Sequence, residues 1–592
     1  MIFGKHINRY YLKYLPHLLL GALALLLVDY FQLKIPELYK YIIDGINDGF
    51  VVIDGVSHSF DFDFVLDEVC RPMLLVVFAI VLGRFLWRIC FFGSAIGVET
   101  ALRSRMFARC KSLSQSYYQE NKVGNLMSLF TNDLDTINEC FGDGALMAFD
   151  AVLLGSLAVY KMIYMDPTLT LLSMIPMAIM LIIATLLGKS MKRKWAARQA
   201  AFSSLSDFSQ ESFSGIAVIK AFVKELSELL SFKKLNRDNE EKNIDFTRTS
   251  TTLHVLVTLF VESVICVILG YGGYLVYRDA FTPGELIEFM SYFSSVVWPV
   301  MAVSQLIEMR SRGMASLRRV SELLDAEIDV RDREDVVDVP EIFGDIEYKN
   351  LTFRYPGTEY DALSDVSFKI NRGENVGIIG RTGSGKTTLV DLLMRTYNLP
   401  DGSLFVDGRD VNTIPIKRLR EYSAYVPQDN FLFSDTIENN IAFGVDNSSE
   451  DEVKAAAILS DVDSNISEFP KKYKTVLGER GVTVSGGQKQ RISIARALMK
   501  RAAILILDDS VSAVDTDTER VIIDNLKRER AGKTTILIAH RVSTVERLDK
   551  IIFLSEGKVL AVGSHAELIA SCPEYKTTVE LQRLEEEGEG NA

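Results

Sequence analysis

The sequence predicts a polytopic α-helical membrane domain fused to an α/β domain of the P-loop type. The chain has 592 residues, which is too long for a single hydrophobic core. Its first half contains long apolar runs, whereas the second half has the mixed composition of a soluble α/β domain. In that second half the string GRTGSGKT, residues 380–387, directly follows the buried-strand pattern VGIIG. These two observations define the fold class.

Six apolar stretches in the first half are long enough to cross a bilayer, which takes about 20 helical residues. They are residues 15–36, 72–96, 146–164, 169–187, 253–277 and 286–303. Basic residues precede the first stretch and fill the two long connections, which predicts that these parts are cytosolic. The segment 41–70 has no Lys or Arg and carries acids that include Asp54. We therefore predict that this segment is external.

Net charge and cysteine spacing exclude several functional classes. The formal net charge is -13, which argues against a nucleic-acid partner because phosphate backbones are bound by an excess of Lys and Arg. The six cysteines have no C-x-x-C spacing and fall mostly in predicted membrane or cytosolic segments. Neither a disulfide framework nor a zinc site is expected.

A charged segment without a helical apolar stripe, residues 324–344, is predicted to link the two domains. The predicted boundaries are thus 1–323 for the membrane domain, 324–344 for the linker and 345–592 for the nucleotide-binding domain. After the linker, IEYKNLTFRY and SLFVDG alternate polar and apolar residues, which predicts antiparallel strands, while VGIIG and AILILDD predict buried strands. This pattern is typical of a P-loop core with a small β subdomain.

The string GRTGSGKT has the spacing of a phosphate-binding loop. Its glycines allow successive backbone N–H groups to close around phosphate oxygens at a helix N-terminus. Lys386 is expected to reach the β and γ phosphates and Thr387 to offer its hydroxyl to Mg²⁺. The predicted nucleotide-binding residues of this loop are Gly380, Arg381, Thr382, Gly383, Ser384, Gly385, Lys386, Thr387 and Thr388.

A second string, VSGGQKQR at residues 484–491, makes the pair specific. Together the two strings resemble the ATP-binding cassette (ABC) family. The resemblance implies that Tyr355, which precedes the phosphate loop, stacks on adenine, as an aromatic face can. It also implies that Gln428, in YVPQDNFLF, contacts Mg²⁺ and senses the membrane domain.

Two strand-end residues match further positions of the family. Asp508 ends the apolar strand ILIL and corresponds to the magnesium-associated carboxylate. His540 follows another apolar strand and corresponds to the switch histidine that touches the γ-phosphate. The resemblance therefore implies ATP and Mg²⁺ as cofactors, with Thr387, Gln428 and Asp508 around the metal ion.

In this family the signature string acts in trans. Its serine, glycines and adjoining helix N-terminus hold the γ-phosphate of the nucleotide bound to the opposite subunit. Here these residues are Ser485, Gly486, Gly487 and Gln488. One cassette therefore supplies two half-sites, and residues 512–515 resemble the D-loop that communicates between them. The chain is expected to pair with another.

The chain departs from the family pattern at Asp509, where a catalytic glutamate is usual. The carboxylate is withdrawn by one methylene, and catalytic positioning tolerates an error of about 1 Å at a cost near a hundredfold. Slow hydrolysis at this site is the expectation, and Asp509 acting adequately as the base is the alternative. In the family, this substitution beside an intact signature marks one half of a heterodimer.

The membrane half resembles the exporter branch of the family. Residues 131–135 (TNDLD) and 211–225 (ESFSGIAVIKAFVKE) are similar to the two intracellular loops that engage the cassettes, the second usually docking on the partner's. Trp298 and Pro299, with residues 310–325, are similar to the end of the sixth span. The resemblance thus extends over nearly the whole chain.

Asp29, Asp150, Lys161 and Glu262 lie inside the predicted spans, where ionisable groups are costly. Asp150 and Lys161 cannot pair with each other, because about 16 Å of helix rise separates them. Each residue either finds a structural partner on a neighbouring helix or faces a substrate cavity. Under the second interpretation, three acids against one base indicate a preference for cationic amphiphiles.

The sequence as a whole predicts half of a heterodimeric ABC exporter in the cytoplasmic membrane, with its cassette in the cytosol. Its expected partners are a second half-transporter bearing the catalytic glutamate and an altered signature, membrane lipids, and a hydrophobic or amphiphilic substrate. Drugs, lipids and peptides all remain open as that substrate. The alternatives are an ATP-gated channel or regulatory membrane protein, and a homodimeric lipid or peptide exporter.

Overall fold

The computed structural model describes residues 3–53 and 55–589. These residues form two compact units. The first unit contains the chain up to Cys110 together with Gly124–Asp325, and the second contains Lys111–Val123 together with the chain from Ala326. Asp54, one of the acids of the predicted external segment, lies outside the described residues.

The first unit is helical apart from one antiparallel hairpin. Its first elements are α1 (Asn8–Gln32), α2 (Ile35–Asp48), β1 (Phe50–Ile53), β2 (Val56–Ser59), α3 (Phe62–Phe64) and α4 (Arg71–Ser112). The next helix along the chain, α5 (Gln115–Glu120), belongs to the second unit. The first unit continues with α6 (Val123–Ser128), α7 (Leu134–Phe141), α8 (Asp143–Met165), α9 (Pro167–Ser214), α10 (Ile216–Ala221), α11 (Glu225–Tyr277) and α12 (Pro283–Asp325). Two π-helical segments, Val65–Cys70 and Leu129–Asp133, complete it.

All six predicted spans fall on helices of this unit. Five helical stretches of the described residues are long and apolar enough to cross a bilayer: Asn8–Asp48, Phe62–Ser112, Val123–Met165, Glu225–Tyr277 and Pro283–Asp325. The fourth predicted span begins α9, whose described residues include the apolar stretch Pro167–Met180. The first predicted span lies within Asn8–Asp48, where α1 stops at Gln32 and Pro36 lies in the first turn of α2, a position at which a missing N–H costs nothing.

Lys161 and Asp150, two of the four ionisable residues singled out in the predicted spans, bond to residues of other helices. Lys161 on α8 donates to Glu37 on α2, which also accepts from Lys34 at 2.8 Å. The indole N–H of Trp298 on α12 donates to Asp150 on α8 at 2.7 Å. Asp150 and Lys161 therefore have separate partners, which supports the structural interpretation for both.

The count of three acids against one base is wrong. The count omits Lys34 of the first predicted span, Arg84 and Arg88 of the second, and Glu288 of the sixth. The spans therefore contain equal numbers of acids and bases. Asp29, which is buried, lies close enough to Arg84 for their charges to interact. The charges inside the spans therefore indicate no preference for cationic substrates.

The TNDLD segment is tied to the end of α12 by an ion pair. Arg319 donates to both carboxylate oxygens of Asp133, with its Nε 3.2 Å from Oδ2. Asp133 is buried, and a two-pronged bond between guanidinium and carboxylate fixes orientation as well as distance. The pair therefore fixes the position of the TNDLD segment relative to the end of α12.

The second unit has an α/β core. Its elements after α5 are β3 (Ile346–Phe353), β4 (Leu363–Ile370), β5 (Asn375–Gly380), α13 (Lys386–Leu393), β6 (Leu404–Val406), β7 (Arg409–Asp410), α14 (Ile416–Glu421), β8 (Ser423–Val426), α15 (Ile437–Ala442), α16 (Glu450–Leu459), α17 (Asp463–Glu468), α18 (Gly486–Met499), β9 (Ile504–Asp508), α19 (Thr516–Glu529), β10 (Thr534–Ala539), α20 (Val542–Val545), β11 (Lys550–Ser555), β12 (Lys558–Gly563), α21 (His565–Ser571) and α22 (Pro573–Glu589).

Two sheets build this core. Strands β12-β11-β5-β10-β9-β8 form a six-stranded sheet that is parallel except for β12, and β4-β3-β6-β7 form an antiparallel sheet. Strands β9 and β10 are buried throughout, as expected for parallel strands covered on both faces. The predicted antiparallel and buried strands are thus present.

The short helix α5 belongs to the second unit because it contacts residues that follow α12. The hydroxyl of Ser116 donates to Asp329 at 3.1 Å, and Asp329 in turn accepts from Asn398 through its carbonyl at 2.8 Å. Residues 326–345 form neither helix nor strand. A segment that the sequence assigns to the membrane domain is therefore part of the cassette unit.

Candidate nucleotide-binding site

Four of the predicted site residues lie at one edge of the parallel sheet. Strand β5 ends at Gly380, β9 ends at Asp508, β10 ends just before His540, and β8 ends two residues before Gln428. Parallel neighbours direct their carboxyl ends to the same edge, which is where ligands bind in open α/β sheets. This edge opens into a cavity of about 520 Å³, a size that suits a nucleotide.

The cavity gathers most of the residues that the sequence predicts. Its lining includes Tyr355, Thr382, Gly383, Ser384, Gly385, Lys386, Thr387, Thr388, Gln428, Asp508 and His540. Gly380, Arg381, Asp509 and the signature residues 485–488 are not part of that lining. Sequence reasoning missed Tyr360, Asp361, Ala362, Glu556 and Gly557, which also line it. Their only sequence signal is a position in loops beside the predicted strands.

The conformation of the phosphate loop depends on hydrogen bonds from its lysine and on the backbone freedom of a glycine. Lys386 Nζ donates to the carbonyl oxygens of Gly380 at 2.8 Å and Arg381 at 2.9 Å. Gly385 has φ +93°, and a Cβ there would lie 2.8 Å from the Ala362 carbonyl oxygen. The Ser384 hydroxyl is buried without a hydrogen-bond partner among the described residues. A loop with no room for a side chain at Gly385 and with an unused hydroxyl donor at Ser384 fits a phosphate group.

Burial shifts the pKa values of the ionisable groups at the base of the cavity. Burial lowers the pKa of Lys386, an effect that the charges of Asp508 and Asp509 oppose. Burial also raises the pKa of Asp508, and a hydrogen bond from Thr387 counteracts this rise. Burial raises the pKa of the nearby Asp391 to about 6, and the Asp508 charge adds to the effect. A cation and a carboxylate in low dielectric interact strongly with a charged ligand.

Tyr355 is packed among other aromatic rings at the cavity wall. Its ring stands edge-on to Phe353 and to Tyr397, with centroids 5.1 Å away in both cases. Its hydroxyl lies 2.9 Å from that of Thr388. Tyr360 also lines the cavity but is 71% exposed. Two tyrosines are therefore available to a purine, and only Tyr355 has a fixed ring.

The backbone around His540 is clamped by the C-terminal helix α22. The Gln582 amide N–H donates to the His540 carbonyl oxygen at 2.7 Å, and the Gln582 amide oxygen accepts from Val542 N–H at 2.7 Å. Because both bonds go to main-chain groups, they fix the turn that carries His540 without engaging its ring. The imidazole stays available to the cavity.

Asp509 adopts a strained backbone conformation. Its φ is +47°, a left-handed value that residues other than glycine rarely take. Its N–H donates to the Ile538 carbonyl oxygen at 3.0 Å. Its carboxylate accepts from Gln428 Nε2 over 3.4 Å. Asp509 thus lies just outside the cavity lining, and its carboxylate is hydrogen-bonded to Gln428, which is part of that lining.

The signature residues form a capped helix N-terminus. Ser485 caps α18, where its hydroxyl accepts from Gln488 N–H at 3.3 Å and the Gln488 side chain accepts from Ser485 N–H at 3.0 Å. A Cβ on Gly486 would meet only Ala513 Cβ, at 3.9 Å, whereas one on Gly487 would lie 2.8 Å from the Ala513 carbonyl oxygen. Gly486 therefore faces open space, and Gly487 permits close packing on residues 513–514.

The fold and the site together define a multi-pass membrane protein with a cytosolic nucleotide-hydrolysing domain. Family models describe residues 18–300 as an ABC transporter transmembrane region and residues 363–512 as an ABC transporter. The chain belongs to the ABC transporter family. It is an ATPase whose hydrolysis is coupled to transport across the membrane.

Known relatives match the chain over nearly its full length. It is 36% identical to the probable multidrug resistance ABC transporter ATP-binding/permease protein YheI of Bacillus subtilis, covering 100% of this chain and 98% of the relative. It is 33% identical to the multidrug resistance-like ATP-binding protein MdlA of Escherichia coli, over 96% and 94% of the two chains. A solved bacterial Atm1-family ABC exporter with ATP bound has the same fold, with TM-score 0.76, 24% identity and coverage of 97% and 98%.

Replacing Tyr355 by leucine should weaken ATP binding by about tenfold, because base stacking on an aromatic ring contributes roughly 1–3 kcal/mol. Tyr355→Phe should stay within about twofold of the wild type, since the ring remains. Equilibrium binding of a fluorescent ATP analogue would measure both. Tyr360→Leu is the matched control, and a larger loss from this control would assign the stacking role to Tyr360.

Proposed function

We propose that the chain is one half of a heterodimeric exporter that moves a hydrophobic or amphiphilic substrate out of the cytosol. The observation that carries the proposal is Asp509 at the position of the family's catalytic glutamate, in the same cassette as an intact, well-capped signature. An unequal pair of ATP sites follows. One site combines this chain's phosphate loop with the partner's signature, and the other combines the partner's loop with Ser485–Gln488.

In this proposal the first site binds ATP firmly and hydrolyses it slowly. Lys386 and the loop N–H groups bind the phosphates, Tyr355 stacks on adenine, and His540 contacts the γ-phosphate. Thr387, Gln428 and Asp508 would hold Mg²⁺, which neutralises phosphate charge when bound. Asp509 should position water poorly, because its shorter side chain and fixed backbone leave the carboxylate about 1 Å short, an error that costs roughly a hundredfold.

The geometry of the signature supports action in trans. Residues 485–488 do not line the cavity that holds this chain's phosphate loop. Gly486 nevertheless leaves open space beside a helix N-terminus, which attracts anions through its free N–H groups and dipole. A phosphate held by another chain is the ligand that we assign to it.

An exposed apolar surface supports pairing with a second chain. It surrounds the short helix α10 and includes Phe213 (75% exposed), Phe222 (71%), Val223 (81%) and Leu226 (71%). Contiguous apolar side chains on a segment outside the membrane mark a protein–protein contact. We assign this surface to contact with the partner's cassette. When the two cassettes close around ATP, this contact would move α9 and α11 and open the substrate pathway of the membrane domain to the outside.

Two alternatives are separated by simple measurements. Net uphill flux of substrate into sealed inside-out vesicles favours the exporter over an ATP-gated channel, which passes substrate only downhill. A homodimeric lipid or peptide exporter would need Asp509 to act as a competent base. The similarity to multidrug resistance proteins favours drug-like substrates among the hydrophobic classes.

The purified chain alone should hydrolyse ATP poorly, and co-expression with its partner should restore turnover. In the heterodimer, Ser485→Ala or Gly486→Asp should lower steady-state turnover by about tenfold or more, because these residues serve the competent site. Asp509→Asn should change it by less than about twofold, since its site is already slow.

The control for this comparison is Ser449→Ala, which removes the same kind of capping box from α16. It should lose the cap's contribution of about 1 kcal/mol to stability and keep its turnover. Robust ATPase activity from a proven homodimer would refute the heterodimer. Greater damage from Asp509→Asn than from Ser485→Ala would mean that the weak site is assigned wrongly.

Replacing Phe213 by alanine should uncouple transport from ATP binding. Substrate-stimulated ATPase activity should fall by roughly fivefold or more, because the side chain contributes interface contact equivalent to a kcal/mol or more. ATP affinity should stay the same, since Phe213 is not among the residues that line the nucleotide cavity. Phe202→Ala, an exposed phenylalanine on the same helix, should change neither quantity. An equal loss of nucleotide binding would contradict the assigned role.

A further inference from the structure

A buried glutamine joins the signature helix to the backbone of Asp509. Gln490 lies in the second turn of α18 and is 7% exposed. Its Nε2 donates to the Asp509 carbonyl oxygen and to the Ser512 hydroxyl, at 3.3 Å in each case. Its Oε1 accepts from Ala513 N–H at 3.0 Å. The amide therefore uses both of its ends on residues 509–513.

These bonds hold a strained residue. With φ at +47°, Asp509 is in the left-handed region, which costs an L-residue some energy that contacts with its neighbours offset. Its N–H is bound to Ile538 O, and its carbonyl oxygen accepts from Gln490 and, at 2.9 Å, from the Ser512 hydroxyl. Of these contacts, only the one from Gln490 comes from the signature helix. The direction of the Asp509 carboxylate therefore depends on where α18 lies.

We propose that Gln490 is a positioning residue that couples the two ATP sites, by setting the Asp509 carboxylate according to the position of the signature helix. The inference rests on the proposed trans action of Ser485–Gln488. Under that arrangement, α18 serves one ATP site and Asp509 belongs to the other. Gln490 is a direct side-chain link between them within one chain.

Close packing makes the link stiff. The backbone of Gly487 lies against Ala513, since an added Cβ would be 2.8 Å from the Ala513 carbonyl oxygen. A shift of the first turn of α18 therefore displaces residues 513–514 by contact and Asp509 through the Gln490 amide. Gln490 is not part of the nucleotide cavity lining, so its replacement should change turnover rather than ATP affinity.

The test compares the effect of Gln490→Leu in two backgrounds of the purified transporter complex, Asp509→Glu and Asp509→Asn. The Asp509→Glu change should add turnover at this chain's own site, because it supplies the longer carboxylate. Gln490→Leu should reduce that added turnover about tenfold or more, since the base is no longer aimed. In the Asp509→Asn background, which has no base to aim, the loss should stay within about threefold.

Two further variants guard the interpretation. Gln490→Glu keeps an oxygen for Ala513 N–H and removes the donor to Asp509, so it should reproduce the leucine effect even if the leucine variant folds badly. Ser493→Ala, which alters a buried hydroxyl of α18 without a hydrogen-bond partner among the described residues, should leave turnover unchanged. The KM for ATP should stay within about twofold in every variant.

The outcomes separate the inference from the function on which it rests. Equal fractional losses in both backgrounds would show that Gln490 only stabilises the cassette, and would overturn the inference. If Asp509→Glu adds no turnover, the weak-site assignment fails. Gln490→Leu is then compared between the unmodified Asp509 chain and Asp509→Asn, where equal losses again overturn the inference and a greater loss with Asp509 supports it.

Discussion

The parallel arrangement of β8, β9, β10 and β5 is the constraint on which the site depends. Because neighbouring parallel strands end at the same edge, residues far apart in sequence arrive at one cavity: Lys386 after β5, Gln428 after β8, Asp508 at the end of β9 and His540 after β10. Full burial of β9 and β10 makes this placement stiff. The motif residues need not contact one another directly to come together, since the strands that carry them are hydrogen-bonded in one sheet.

The same edge connects the site to its surroundings. Asp509 and residues 512–513 follow directly on β9, and Gln490 ties them to the helix that carries the signature. On the other side, Gln582 of the C-terminal helix holds the turn around His540. Glutamine side chains bonded to main-chain groups thus fix the chain after β9 and after β10 from two directions.

The sequence predicts the motifs and the secondary structure well, because apolar periodicity and glycine spacing are local properties. It predicted the six spans, the buried strands and most of the cavity lining. It did not predict that α5 contacts Asp329 in the cassette unit, nor that Glu37 pairs with Lys161, because such contacts depend on three-dimensional packing. Tyr360 and Gln490 were missed for the same reason. The omission of Lys34, Arg84, Arg88 and Glu288 from the charge count is an error that the sequence itself corrects.

The most direct test of an unequal pair of ATP sites is the location of trapped ADP. The purified heterodimer is incubated with Mg²⁺, vanadate and a photoreactive ATP analogue, and each chain is then examined for covalent label. We expect vanadate-trapped ADP to label the partner chain, whose phosphate loop faces Ser485–Gln488, with little trapping on the loop that contains Lys386. Equal or greater vanadate-dependent labelling of this chain would contradict the unequal pair of ATP sites.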